Sequence, residues 1–595
     1  MLLSNPSLKS SFRIAAQPAR QTYIGPKNDS RARVVGRVAA DLRCSRSILN
    51  PSLQSKAAAL GSLVLPSGAL IAHLSLFSPM RVDDAFIFLR YADNLRSGNG
   101  LVFNLGERVE GFTSLGWVWI ETIFLGLGLD GLTAAKAVGV LSTLVLIWAT
   151  VRIAFRLSGS HYVSTLAGLL IAINSAIATA SVNAMETAPF AAAIALALGQ
   201  YLRQATHRDR VVTGLLCALA ILLRPEGILF TFLLGTHTLL TERVSRWQKL
   251  AIFLAPILLI AIPPYVIKAI YFGGIFPNTL VAKVSRIWGP RIFSGIGYLG
   301  DYAANHHGGW ALGCLAVLAL RRSAFRLFCW ICLPWLLYIV YTGGDWIPES
   351  RFLVPLVPIA SLGMAVGLHQ LWEVARRVEN RARRRVAWVV VIIFALSTTI
   401  PGAVLKSAFT RELVEDQTRA SKLGRAPVAR LLKSMQKGTA ALVDVGEIAY
   451  LSKLKVIDTG GLTDPVIAQM IHDSRAPFYK GHLLSPDQFT AEAIAKEALG
   501  RKPDFVVLLL NQDLRRAESG ETEGDVGVAY RQDLAMYQAL SKSNEYRYLC
   551  SQPTGNASPG GEWRYNVLIR KEHLHLEPVE AALAPARCDQ TKIGI

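Results

Sequence analysis

Apolar stretches of helix length recur along the first two thirds of the chain, separated by short polar turns. Ala57–Met80 carries no charge unless His73 is protonated, and at about 1.5 Å per residue it can cross ~30 Å of hydrocarbon. Further apolar runs over 133–155, 162–182, 187–202, 211–223, 226–241, 250–272, 309–320, 325–342, 352–372 and 386–405 bring the expected spans to eleven. Another run, 113–128, holds Glu121 in its middle, so we place it flat on the outer surface with Trp117 and Trp119 at the interface. Beyond residue 405 the pattern changes. Ala440–Val445, Lys455–Asp458, Phe505–Leu510 and Trp563–Ile569 read as strands, and Pro465–Ile471 and Thr490–Leu499 as helices. The expected architecture is a polytopic α-helical membrane domain over 56–405, then a soluble α/β domain over 406–595.

Charge fixes an expected orientation. The 595 residues are 52% apolar yet carry a formal net charge of +21, a balance also met in nucleic-acid-binding proteins. Here the basic residues fall in short turns: Arg203/Arg208/Arg210, Arg243/Arg246/Lys249, Arg321/Arg322/Arg326 and the six arginines within 376–385. Positively charged turns mark the cytoplasmic side of a membrane protein, so topology accounts for the charge and no nucleic-acid partner is expected. The first outer loop then covers 81–130, and the C-terminal domain is extracytoplasmic on an integral plasma-membrane protein. Residues 1–55 hold nine Lys or Arg against Asp29 and Asp41, which reads as a disordered basic cytoplasmic tail, with an organellar transit segment as the alternative. Cys329 and Cys332 form a C-x-x-C inside an apolar run and read as helix residues. Cys550 and Cys588 can pair only if their domain is extracytoplasmic. His306-His307 reads as a loop pair, and the soluble half contains no G-x-G-x-x-G, P-loop or G-x-S-x-G.

The chemistry-bearing residues lie on the expected outer face. Asp83-Asp84 stands where the first span ends, and adjacent carboxylates at a membrane surface suit removal of a proton from an acceptor hydroxyl beside the bilayer. A solvated helix-capping pair is the bland alternative. Other charges gather at Glu110, Glu186, Arg224/Glu226, Lys283 and Asp345/Glu349/Arg351. Arginine suits phosphate because its planar fork binds two oxygens; otherwise each cation is a snorkelling residue at a membrane edge.

The motifs D-D-A-F-I-F-L-R-Y (83–91), G-L-V-F-N-L-G-E-R-V-E-G-F-T-S (100–114), N-A-M-E-T (183–187), R-P-E-G (224–227), F-P-N-T-L-V-A-K (276–283), G-G-D-W-x-P-x-x-R-F-L-V-P (343–355) and the run 444–464 occur in this order. As a set they resemble the GT-C superfamily of polyprenyl-phosphate-dependent glycosyltransferases, in the branch of the terminal β-(1→2) arabinofuranosyltransferases, over roughly 57–510. The long basic tail departs from that pattern. The resemblance implies a membrane glycosyltransferase acting on the extracytoplasmic face, with arabinofuranose a candidate sugar and a cell-envelope glycan, lipid or protein as acceptor. It makes Asp83 the expected base and Asp84 its neighbour or a metal ligand. Arg224, Lys283 and Arg351 become expected phosphate holders. Arg90, Glu110, Glu186, Glu226, Asp345 and Glu349 become expected substrate-binding residues, with pairing to the arginines as their alternative. A divalent cation is a candidate cofactor. Transport of a glycan or lipid-linked substrate is the rival reading; against it, the charges gather in outer loops and no inverted repeat is evident.

Overall fold

The structure, a computed structural model, describes residues 53–203, 206–284, 286–305, 323–345, 349–474, 486–511, 514, 529–558 and 561–573. Most of the tail, the 309–320 run, Arg321/Arg322, His306-His307 and Cys588 lie outside these.

Among the described residues, five helices are long and apolar enough to cross a membrane: Lys56–Leu74, Gly131–Ser158, Arg246–Phe272, Ser323–Thr342 and Arg351–Arg376. The expected 162–182 span is broken: His161–Ala172 and Ser175–Val182 are bent by 62° and would make a sixth. The cause is local, because Asn174 accepts the Ile177 N–H through its side chain and starts a new helix. Leu115–Gly126, Thr187–Tyr201 and Gly227–Thr241 are shorter apolar helices. In the first of these Trp117 is fully buried while Trp119 is 38% exposed, so only Trp119 faces outward as expected for an interface.

Two basic turns meet at one end of the bundle. Arg210 and Lys249 both pair with Glu242, at 2.8 and 2.5 Å. Turns that the charge pattern assigns to the same side are therefore neighbours. The helix Arg381–Arg419 runs without a break past residue 405 and widens into a π turn at Ala420–Arg425.

A five-stranded sheet follows, built from β1 (Thr439–Leu442), β2 (Lys455–Asp458), β3 (Phe505–Leu510), β4 (Tyr546–Ser558) and β5 (Gly561–Arg570) in the order β2-β1-β3-β5-β4. β2, β1 and β3 are parallel; β5 and β4 are antiparallel. The run F-V-V-L-L-L of β3 is apolar at every position because it is central and covered on both faces. β4 was not expected from the sequence. It is an edge strand of mixed polarity with Pro553 and two register shifts, which erases any alternating pattern.

The carboxyl edge of β1 leads into the turn Asp444–Glu447, which packs on the start of the helix Asp83–Arg96. Asn104 extends the contact by accepting the Val456 N–H at 3.1 Å and donating to the Val456 carbonyl at 2.8 Å. The expected first outer loop and the sheet thus form one packed layer.

Candidate functional site

The helix Asp83–Arg96 begins with two carboxylates in its first turn, where the free N–H groups favour negative charge. The two are held differently. Asp83 is buried and accepts the Gly446 N–H at 2.7 Å and the Glu447 N–H at 2.8 Å, with Arg425 Nε 3.8 Å away. Burial pushes its carboxyl up to about 7; Asp444 adds to the rise, and Arg425 and the two N–H groups oppose it. A Cβ on Gly446 would lie 1.9 Å from the Asp83 carbonyl oxygen, so this approach requires glycine. Asp84 instead faces Lys283, whose Nζ is 3.4 Å from Oδ2.

Lys283 ends the short helix Asn278–Lys283, which is tied down at its start. The Asn278 N–H donates to the Glu110 carbonyl at 2.9 Å, and its side-chain amide donates to the carbonyls of Gly461 and Leu462 at 2.7 and 3.0 Å. The Glu110 carboxylate accepts from Lys268 at 2.5 Å. Burial lifts this carboxyl to about 7 against the opposing pull of Lys268.

The remaining candidates form separate groups. Arg224 donates to Glu226 through Nε and Nη2, at 3.1 and 2.7 Å, and to Glu186 through Nη1 at 2.5 Å. All three side chains are buried, so this arginine is neutralised by carboxylates instead of presenting a fork to phosphate. Arg351 pairs with Asp345 and lines one small internal void with Arg224, Glu226 and Thr187. Glu349 stands apart, bound by Ser175 and Thr410 at 2.8 Å each and by Lys406 at 3.0 Å. Arg90 donates to four oxygens, the carbonyls of Phe103, Ala449 and Leu454 and the Asn104 side chain. It splints the segment 90–104 to the sheet domain.

Of the three cations singled out for phosphate, Lys283 alone meets the acidic pair among the described residues. Among the described residues no group of three His, Cys, Asp or Glu side chains suited to a metal gathers there. Sequence reasoning passed over Lys268, Arg425 and Glu447. Lys268 had a signal: it is the one charge in the 250–272 run, and a buried cation in an apolar helix needs a partner.

A family model described as a domain of unknown function, DUF8728, matches residues 411–560. The terminal β-(1→2)-arabinofuranosyltransferase of Corynebacterium glutamicum is 29% identical over 329 residues, 47% of this chain and 46% of that protein. The Mycobacterium tuberculosis protein of the same name is 29% identical over 273 residues, 41% and 42% of the two chains. The chain thus matches less than half the length of either relative. Among solved structures, ArnT from Cupriavidus metallidurans bound to undecaprenyl phosphate superposes with a TM-score of 0.53 at 13% identity, covering 85% of this chain and 98% of ArnT. The oligosaccharyltransferase AglB from Archaeoglobus fulgidus, in complex with an inhibitory peptide and a dolichol-phosphate, gives 0.50 at 11% identity over 84% and 80%. The chain therefore has the GT-C fold and is similar in sequence to the terminal β-(1→2)-arabinofuranosyltransferases.

Proposed function

We propose that this protein is a membrane glycosyltransferase that moves a sugar from a polyprenyl-phosphate donor to a glycan, lipid or protein acceptor of the cell envelope. Arabinofuranose is the proposed sugar, because the sequence relatives are named for its transfer. The proposed topology has eleven spans and a cytoplasmic N-terminus, with the active site and the domain after residue 405 extracytoplasmic.

The observation that carries this reading is the Asp84–Lys283 pair at the start of the helix Asp83–Arg96, a carboxylate and an ammonium 3.4 Å apart. Asp84 is the proposed base in place of Asp83, because Asp83 already accepts two backbone N–H groups. As the acceptor oxygen bonds to the anomeric carbon, its proton passes to Asp84. The bond from that carbon to the phosphate oxygen breaks, and the electron pair stays on the phosphate beside Lys283. The donor phosphate and Asp84 compete for one ammonium, so donor arrival frees the carboxylate to act. Glu110, on the same side, is the proposed ligand for an acceptor hydroxyl.

The test uses purified protein in detergent, a polyprenyl-phosphate arabinofuranose donor and an arabinan oligosaccharide, with linkage analysis of the product. Transfer is expected. Transfer only from another polyprenyl-phosphate sugar would keep the reaction and replace the sugar, while no transfer from any such donor by folded protein would refute the proposal.

A further inference from the structure

Asp83 and Gly446 are 363 residues apart in the chain, and the contact between them is too close to be incidental packing. Around it lies a buried polar knot. The Glu447 side chain is fully buried and receives Ser421 Oγ at 2.8 Å, Arg425 Nε at 3.1 Å and Arg81 Nη1 at 3.3 Å. Arg425 comes from the π turn at Ala420–Arg425 and also donates to the Gln417 carbonyl at 3.3 Å. Its guanidinium therefore stands between Glu447 and Asp83, and its own backbone continues the helix Arg381–Arg419. Two independent features thus converge on one carboxylate: a glycine turn that offers it two N–H donors, and a cation that neutralises it.

We propose that Arg425, Gly446 and Glu447 are positioning residues of the active site: the C-terminal domain grips Asp83 and thereby sets Asp84 in register with Lys283. Asp83 and Asp84 share one helical turn, so a shift of the first carries the second with it. Arg90 and Asn104 fasten the same two segments elsewhere. Loss of Arg425 therefore leaves the domain docked and releases only the end that bears the acidic pair.

The inference rests on the transferase reading for its kinetic readout, so the test carries a second readout that does not. Arg425→Gln, Arg425→Lys and Gly446→Ala are compared with the parent full-length protein. A displacement of about 1 Å at a reacting group typically lowers the rate on the order of 10²-fold. Arg425→Gln and Gly446→Ala are expected to lower kcat of the folded protein by about that factor with donor KM nearly unchanged, and Arg425→Lys to recover about tenfold; the first two also lower the thermal midpoint, because one leaves Glu447 buried without its cation and the other sets a Cβ against the Asp83 carbonyl. Hydrogen–deuterium exchange should rise in the peptides covering 83–90 and 444–449 in the Gln and Ala variants. Raised exchange in a protein that transfers no sugar would sink the transferase reading and keep the grip. Unchanged exchange and unchanged kcat in both variants would overturn the inference, as would a loss of activity that tracks loss of folded protein with no rescue by lysine.

Discussion

Replacing Arg224 by methionine would remove the cation between two buried carboxylates while roughly keeping side-chain volume. The parent arginine makes three charge-assisted hydrogen bonds, at 2.5, 2.7 and 3.1 Å, and its partners Glu186 and Glu226 are 0% and 7% exposed at their side chains. Breaking a buried pair by removing one partner costs roughly 3–5 kcal/mol, because the remaining charge stays desolvated. That is about two to three and a half powers of ten in the folding equilibrium, at 1.4 kcal/mol for each tenfold change. Removing both acids as well, in the Glu186→Gln/Arg224→Met/Glu226→Gln protein, is expected to restore stability to within about 2 kcal/mol. The assay is equilibrium unfolding of the purified protein in mixed micelles, followed by tryptophan fluorescence, beside donor KM on the folded fraction. A single Arg224→Met variant as stable as the parent but with a raised donor KM would refute the reasoning. It would mean that this arginine is free for phosphate, as the resemblance first implied.

Asp84→Asn should lower transfer by on the order of 10²–10⁴-fold while donor binding persists, since an amide cannot take the acceptor's proton; near-normal turnover would move the base elsewhere. Asp458, the buried last residue of β2, gives a pH signature. Burial raises its carboxyl from 3.8 to about 7 despite the donors Gly460 N–H, Thr463 N–H and Thr463 Oγ1. The folded protein then holds a proton that the unfolded chain has lost, so this group's contribution makes stability fall as pH rises from about 4 to about 7 and level off above. The difference between parent and Asp458→Asn unfolding profiles should show that slope, and parallel profiles would contradict it. For topology, a cysteine at Phe489, which is 82% exposed, should react with a membrane-impermeant maleimide in intact cells lacking an outer barrier. Labelling only after lysis would reverse the proposed orientation.

Local pattern determined much of this protein. Long apolar runs become helices wherever the backbone must satisfy itself without water, and the all-apolar run 505–510 read as a strand, which the structure sets at the covered centre of the sheet. The ordered set of motifs pointed to the GT-C fold that the comparisons share. Partner choice was not legible. Glu226, two residues on, left pairing open as an alternative for Arg224, but the local stretch could not say that Glu186 would close it as well, and nothing near Asp83 announces that Gly446 will occupy its oxygens. Such pairings depend on which charges tertiary packing strips of water together, and desolvation is a property of the assembled interior, not of any local stretch. The different surroundings of Asp83 and Asp84, adjacent in sequence and alike in chemistry, were decided there. One turns toward the sheet domain and its N–H groups; the other faces Lys283.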